Sequence, residues 1–170
     1  MLDKQYNFKG RHAIRARALS VPYDDNGDKI FDRTYDVYIL APMVGFAYKR
    51  MEELDRSSND ERAVFGDILQ SNNADIMYTF RTIMLLDKGY ISDSQERIKK
   101  AFGKDFSKDD EERFYSYMRG GVDILYEKIM EGVDLPEDYV NHLYDFLDEF
   151  NHRNEKLDID LIKEQCRKFE

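Results

Sequence analysis

A chain of 170 residues suits one domain and can bury a core without disulfides or metals. Its 12 tyrosines and 11 phenylalanines argue against disorder, and 36% charged residues, above the usual quarter, require amphipathic helices with heavily charged outer faces. A net charge of −9 repels phosphate unless the basic residues are segregated, and the lone cysteine, Cys166, excludes an internal disulfide or a thiolate metal cage.

Residues 1–20 carry Lys4, Lys9, Arg11, Arg15 and Arg17 against a single acid, Asp3. No apolar signal-peptide stretch is seen there, and His12 to Leu19 can form a short basic helix. Val21 to Phe31 holds Asp24-Asp25-Asn26-Gly27-Asp28, which is turn chemistry; a loop is the simpler reading and a tight hairpin the alternative. Asp32 to Met51 is apolar on nearly all sides and predicts a central buried helix, bent or restarted at Pro42, with Gly45 leaving room for another helix. This stretch contains the longest apolar run, Val37 to Ala47, far short of the roughly 20 residues of a membrane helix. Glu52 to Glu61 reads as a loop, and Arg62 to Gln70 as a short amphipathic helix or an extended segment.

From Asn73 a helix carries Ile76, Met77, Phe80, Ile83 and Met84 at helical spacing and should end at Gly89. Ser92 and Gln95 fit a capping box that opens a short helix through Ile98 and Phe102. Ser107 heads a further helix, with acids from Asp109 to Glu112 in its first turn. Gly120-Gly121 should interrupt or kink the chain there and permit tight packing. Val122 to Ile129 marks the next helix, and Pro136 starts another with an apolar stripe of Val140, Leu143, Leu147 and Phe150. Asn151 to Lys156 reads as a turn before a short terminal helix. From Asp105 onward the chain holds nineteen acids against nine bases.

The expected architecture is therefore mainly α, a single-domain bundle of about six to eight helices with room for a small N-terminal hairpin. Residues 1–20 form a basic arm or short helix, and residues 21–170 the helical domain.

No constellation of residues announces catalysis. His142, Asp145, Glu149 and His152 share one side of a helix, as metal ligands can, but helical metal sites draw ligands from several facing helices. An ordinary solvated face, or a surface for a partner protein, is the plainer reading. Cys166 lies in an acidic stretch that disfavours a thiolate. Asp158, Asp160 and Lys163 only superficially suggest a metal-dependent nuclease, since their context is helical. Gly120-Gly121 lacks a P-loop lysine. No catalytic residue, metal or cofactor is assigned. Lys9, Arg11, Arg15 and Arg17, with Tyr6 and Phe8 nearby, are the best candidates for contacts to nucleic acid or an acidic partner.

Two stretches carry a family resemblance. Tyr35-Asp36-Val37-Tyr38-Ile39-Leu40-Ala41-Pro42-Met43-Val44-Gly45-Phe46 resembles an early apolar segment of small bacterial proteins associated with DNA-phosphorothioation and related anti-phage defence operons. Tyr117-Met118-Arg119-Gly120-Gly121-Val122-Asp123-Ile124-Leu125 resembles a later segment of the same family, in the same order. Pro42 replaces a usually small residue, and Arg119 stands where the family pattern suggests Asn. The resemblance implies a cytoplasmic accessory subunit of a defence complex that contacts a larger ATPase or nuclease, with no catalytic residues to carry over. Direct DNA contact and self-association are further expectations.

Overall fold

A computed structural model describes residue 2 and residues 4–103 and 106–166, with side chains up to residue 152. Cys166, Asp158, Asp160 and Lys163 therefore lie outside the described side chains. The protein is mainly helical, as its composition predicts. The described residues form two strands, β1 (Tyr6–Lys9) and β2 (Glu61–Val64), and seven helices. These are α1 (Gly10–Leu19), α2 (Thr34–Tyr48), α3 (Gly66–Ser71), α4 (Asn73–Leu86), α5 (Ser94–Phe102), α6 (Lys108–Ile129) and α7 (Pro136–Cys166). Residues 1–127 make one compact unit and residues 128–170 another. No described helix is long and apolar enough to cross a membrane.

In the first unit β1 and β2 pair antiparallel, Tyr6 opposite Val64 and Lys9 opposite Glu61. Val21 to Phe31 is a loop, the simpler of the two readings, in which Asp24 accepts from the Asp28 amide at 2.8 Å and Gly27 takes a positive φ. The sheet joins distant segments and sends the chain directly into α1. Residues 6–19 are thus not a solvated tail: Phe8, His12, Ala13, Ala16 and Leu19 are all buried. Aromatic rings knit the core around Tyr38, whose ring centroid lies 6.4 Å from those of both Phe8 and Phe114. Phe80 of α4 joins through Phe114 at 5.9 Å. Such pairs add about 0.5–1.5 kcal/mol each beyond the area they bury.

Pro42 lies inside α2, buried, without ending it. Lys49, at φ 55°, closes α2, and the Arg50 amide donates back to the Gly45 carbonyl at 2.9 Å. Ser107 caps α6 reciprocally with Asp110: the Ser107 amide donates to the Asp110 carboxylate at 2.7 Å, and Ser107 Oγ accepts from the Asp110 amide at 3.2 Å. The cap of α5 falls one residue beyond the expected Ser92, on Asp93, which accepts from the Glu96 amide at 2.7 Å.

The largest departure from the sequence reading is at Gly120-Gly121. They do not interrupt the chain; α6 runs through them unbroken. A Cβ on Gly121 would overlap the Ala41 carbonyl, one on Gly120 the Arg50 carbonyl, and one on Gly45 the Tyr117 carbonyl. The glycines let α2 and α6 cross backbone against backbone. The helical cost of Gly, about 1 kcal/mol relative to Ala, is offset by that contact.

In the second unit α7 also runs through the expected turn at Asn151 to Lys156. Among its described side chains Phe146 is buried, with Tyr139, His142, Leu143 and Phe150 half-buried, whereas Val140 and Leu147 of the expected core stripe are exposed. The Phe146 and Phe150 rings lie 6.0 Å apart.

Candidate functional site

The most concentrated chemistry in the first unit surrounds Asp123, a fully buried acid midway along α6. Helix α1 presents Arg11, His12 and Arg15 on one face, as their spacing requires. Arg50 arrives just beyond the end of α2. Arg15 Nη1 lies 2.7 Å from Asp123 Oδ1, Arg11 Nη2 lies 3.2 Å from Oδ2, and Arg50 Nη2 lies 3.4 Å from Oδ2. His12 Nε2 sits 3.5 Å from Oδ1. Two further carboxylates complete the cluster. Glu127 takes Arg50 Nη1 at 2.6 Å and Arg15 Nη1 at 3.3 Å, and Glu52 takes Arg11 at 2.7 Å and Arg50 Nε at 3.1 Å.

Three guanidiniums thus face three carboxylates, which satisfies charge inside a protein that could not bury either sign alone. Burial pushes the Asp123 carboxyl up, but His12 and Arg15 beside it outweigh burial and hold it below the usual carboxylate range. Neither His12 nitrogen nor Asp123 Oδ1 has a partner aligned for a hydrogen bond, so Arg15 acts on Oδ1 as a nearby charge. The His12 and Asp123 side chains are 1% and 0% exposed. A pair so enclosed joins α1 to α6 rather than meeting a substrate.

Further ties lie upstream of Asp123 on the same helix. Arg119 is buried, donates through Nε to the Glu52 carbonyl at 2.7 Å, and pairs with Glu112. Nearer the start of α6, Arg113 Nε and the Tyr117 hydroxyl both donate to Asp87 Oδ2, at 2.9 and 2.8 Å. Burial pushes the Tyr117 hydroxyl up to about 12, reinforced by its bond to Asp87. Asp87 is raised by burial but lowered more strongly by Arg113 and Tyr117, so it stays ionised. Asp110 behaves alike: burial is outweighed by Lys100, 2.7 Å away, and by Ser107 and Tyr90.

The candidates proposed from sequence meet different fates. Arg11 and Arg15 converge on Asp123. Lys9 pairs with Glu61 at 3.0 Å. The Arg17 guanidinium donates to the Glu61 carbonyl at 3.4 Å and lines an open cavity with Arg33 and Arg62. In the second unit, His142, Asp145, Glu149 and His152 do share one side of α7, but they do not act together. Glu149 pairs with Lys128 at 2.6 Å, and His152 Nδ1 lies 2.9 Å from the Asp148 carbonyl oxygen of its own preceding turn. Among the described residues, no three His, Cys, Asp or Glu side chains gather as metal ligands would.

What sequence reasoning missed is Asp123 itself. Its signal was a single charge inside Val122-Asp123-Ile124-Leu125, together with Arg11 and Arg15 one helical turn apart. It also missed the exposed face of α7, where Val140, Tyr144 and Leu147 are 52%, 71% and 56% exposed.

Comparison with family models, with curated proteins and with solved structures gave no match.

Proposed function

We propose that the protein is a non-catalytic accessory or adaptor subunit of a bacterial anti-phage defence complex, docking in the cytoplasm on a larger ATPase or nuclease. The observation that carries this reading is the exposed apolar face of α7. Val140, Tyr144 and Leu147 follow one another at helical spacing on one side of the helix. A soluble helix normally turns such residues inward, and grooves that accept a helix recognise side chains at this spacing. Tyr144 brings the amphipathic ring favoured at the centres of interfaces. Asp148, also exposed, stands beside the stripe, so a groove with an apolar floor and a basic rim is its complement. The identity of the complex comes from the resemblance of the Tyr35–Phe46 and Tyr117–Leu125 segments. Partner contact thus falls on Val140, Tyr144 and Leu147, and the acidic and histidine side of the helix serves as its flank.

The test is co-expression with the products of neighbouring genes. The unaltered chain should co-elute with the large subunit, and a Tyr144→Asp, Leu147→Asp double variant of unchanged helicity should elute alone. Elution of the unaltered chain apart from every neighbouring product, or co-elution of the double variant, would refute the proposal.

A further inference from the structure

We infer that the cavity bounded by the end of α1, the start of α2 and β2 binds the phosphate and base of a nucleotide unit. The cavity measures about 390 Å³, inside the roughly 300–1,000 Å³ range of small-molecule sites. Four cationic side chains line it, Arg17, Lys29, Arg33 and Arg62, against two carboxylates, Asp32 and Glu61. Glu61 is already paired with Lys9. Arg33 is held by Asp36 at 3.1 Å. Among the described residues, no carboxylate lies within ion-pair distance of Arg17, Lys29 or Arg62. Arg62 donates Nε to Thr34 Oγ1 at 2.8 Å, which fixes its guanidinium at the cavity edge.

The contrast with the remainder of the chain gives this weight. In a protein of net charge −9, most cations near the core are matched by carboxylates. Here three are unmatched, at one opening, and they come from three separate segments. Unmatched guanidiniums at a concave surface recognise phosphate. The wall beside them is apolar, formed by Val64, Phe65 and Ile68, and the Phe65 ring is 56% exposed. An exposed aromatic next to phosphate-binding cations is the arrangement on which a nucleobase stacks. Inorganic phosphate would use the cations and leave that wall idle; a nucleotide uses both. A free nucleotide and one unit of a single strand present the same chemistry.

The experiment titrates the full chain at about 50 mM salt with inorganic phosphate, with AMP and with a labelled single-stranded DNA oligonucleotide, by calorimetry or anisotropy. AMP, the oligonucleotide or both should bind more tightly than phosphate. Lys29→Ala and Arg17→Ala should each weaken binding several-fold. Phe65→Ala should weaken AMP and oligonucleotide but not phosphate. Three phosphate contacts predict a loss on the order of tenfold in oligonucleotide affinity between about 50 and 200 mM salt. AMP binding at least as tightly as the oligonucleotide identifies a free nucleotide as the ligand; the reverse order identifies a nucleic-acid strand. Lys128→Ala, in the other unit, should change nothing. Absence of binding by both nucleotide probes overturns the inference, as does binding unaffected by Lys29→Ala and Arg17→Ala, or phosphate binding as tightly as AMP. These readouts are independent of α7, so failure here leaves the docking proposal standing.

Discussion

Arg15 and Arg17 are near neighbours on α1 and meet opposite surroundings. Arg15 reaches a buried acid and a second carboxylate, Asp123 and Glu127, and is 22% exposed. Arg17 lines an open cavity where no described carboxylate pairs with it. The helix therefore divides its basic residues by face, one set holding the fold and the other left unmatched. A cluster of positive charge near an N-terminus says nothing by itself about nucleic acid. What matters is how much of that charge the protein neutralises internally.

The comparison breaks most visibly at Asp123. Asp123→Ala would remove the buried acid shared by Arg11, Arg15 and Arg50 and leave a cavity beside them; each arginine keeps Glu52 or Glu127 as a partner, so the loss should be about 1–3 kcal/mol. Urea denaturation should show that loss, and a variant of unchanged midpoint would mean the cluster contributes nothing net. Acid supplies a gentler break. The folded pKa values of Asp123, Asp87 and Asp110 lie below the unfolded value of about 3.9. Their contribution is therefore complete above about pH 4 and disappears as pH falls through the folded values, by at most about 1.4 kcal/mol per pH unit for each titrating carboxylate. Denaturation midpoints measured from pH 6 downward should be flat and then fall, and Asp123→Asn should reduce the slope. The smallest effect belongs to the other side of the comparison. Lys29→Ala should leave stability within about 0.5 kcal/mol of the parent, because the side chain is exposed and makes no ion pair among the described residues.

Much of this fold was legible in the sequence where a single element governed its own shape. The period of Ile76, Phe80, Ile83 and Met84 gave α4, the apolar run around Tyr38 gave α2, and Ser107 with its acidic first turn gave the start of α6. Features that depend on a distant partner were hidden. Tyr6–Lys9 is too short for a period to show, and becomes a strand because Glu61–Val64 lies alongside it. Gly120 and Gly121 read locally as a helix break, and only the α2 backbone pressed against them explains their place inside α6. Asn151 to Lys156 is polar enough to suggest a turn, yet the helical run of α7 continues through it. The Asp123 cluster draws on three segments, so no single window of sequence contains it. Exposure of Val140 and Leu147 was hidden for a related reason: periodicity identifies an apolar face but not what covers it.

The crossing of α2 on α6 has a consequence for descent. The stretches around Gly45 and around Gly120-Gly121 are each other's contact surface. Neither can accept a larger side chain unless the opposite backbone withdraws. In any lineage that keeps this crossing, the two short glycine-bearing words must be inherited as a pair, while the exposed positions of α3 to α5 between them are freer to change. Distant relatives should therefore be recognisable by two brief words at a roughly fixed interval in otherwise dissimilar chains, and such a likeness would report a shared joint before it reported a shared task.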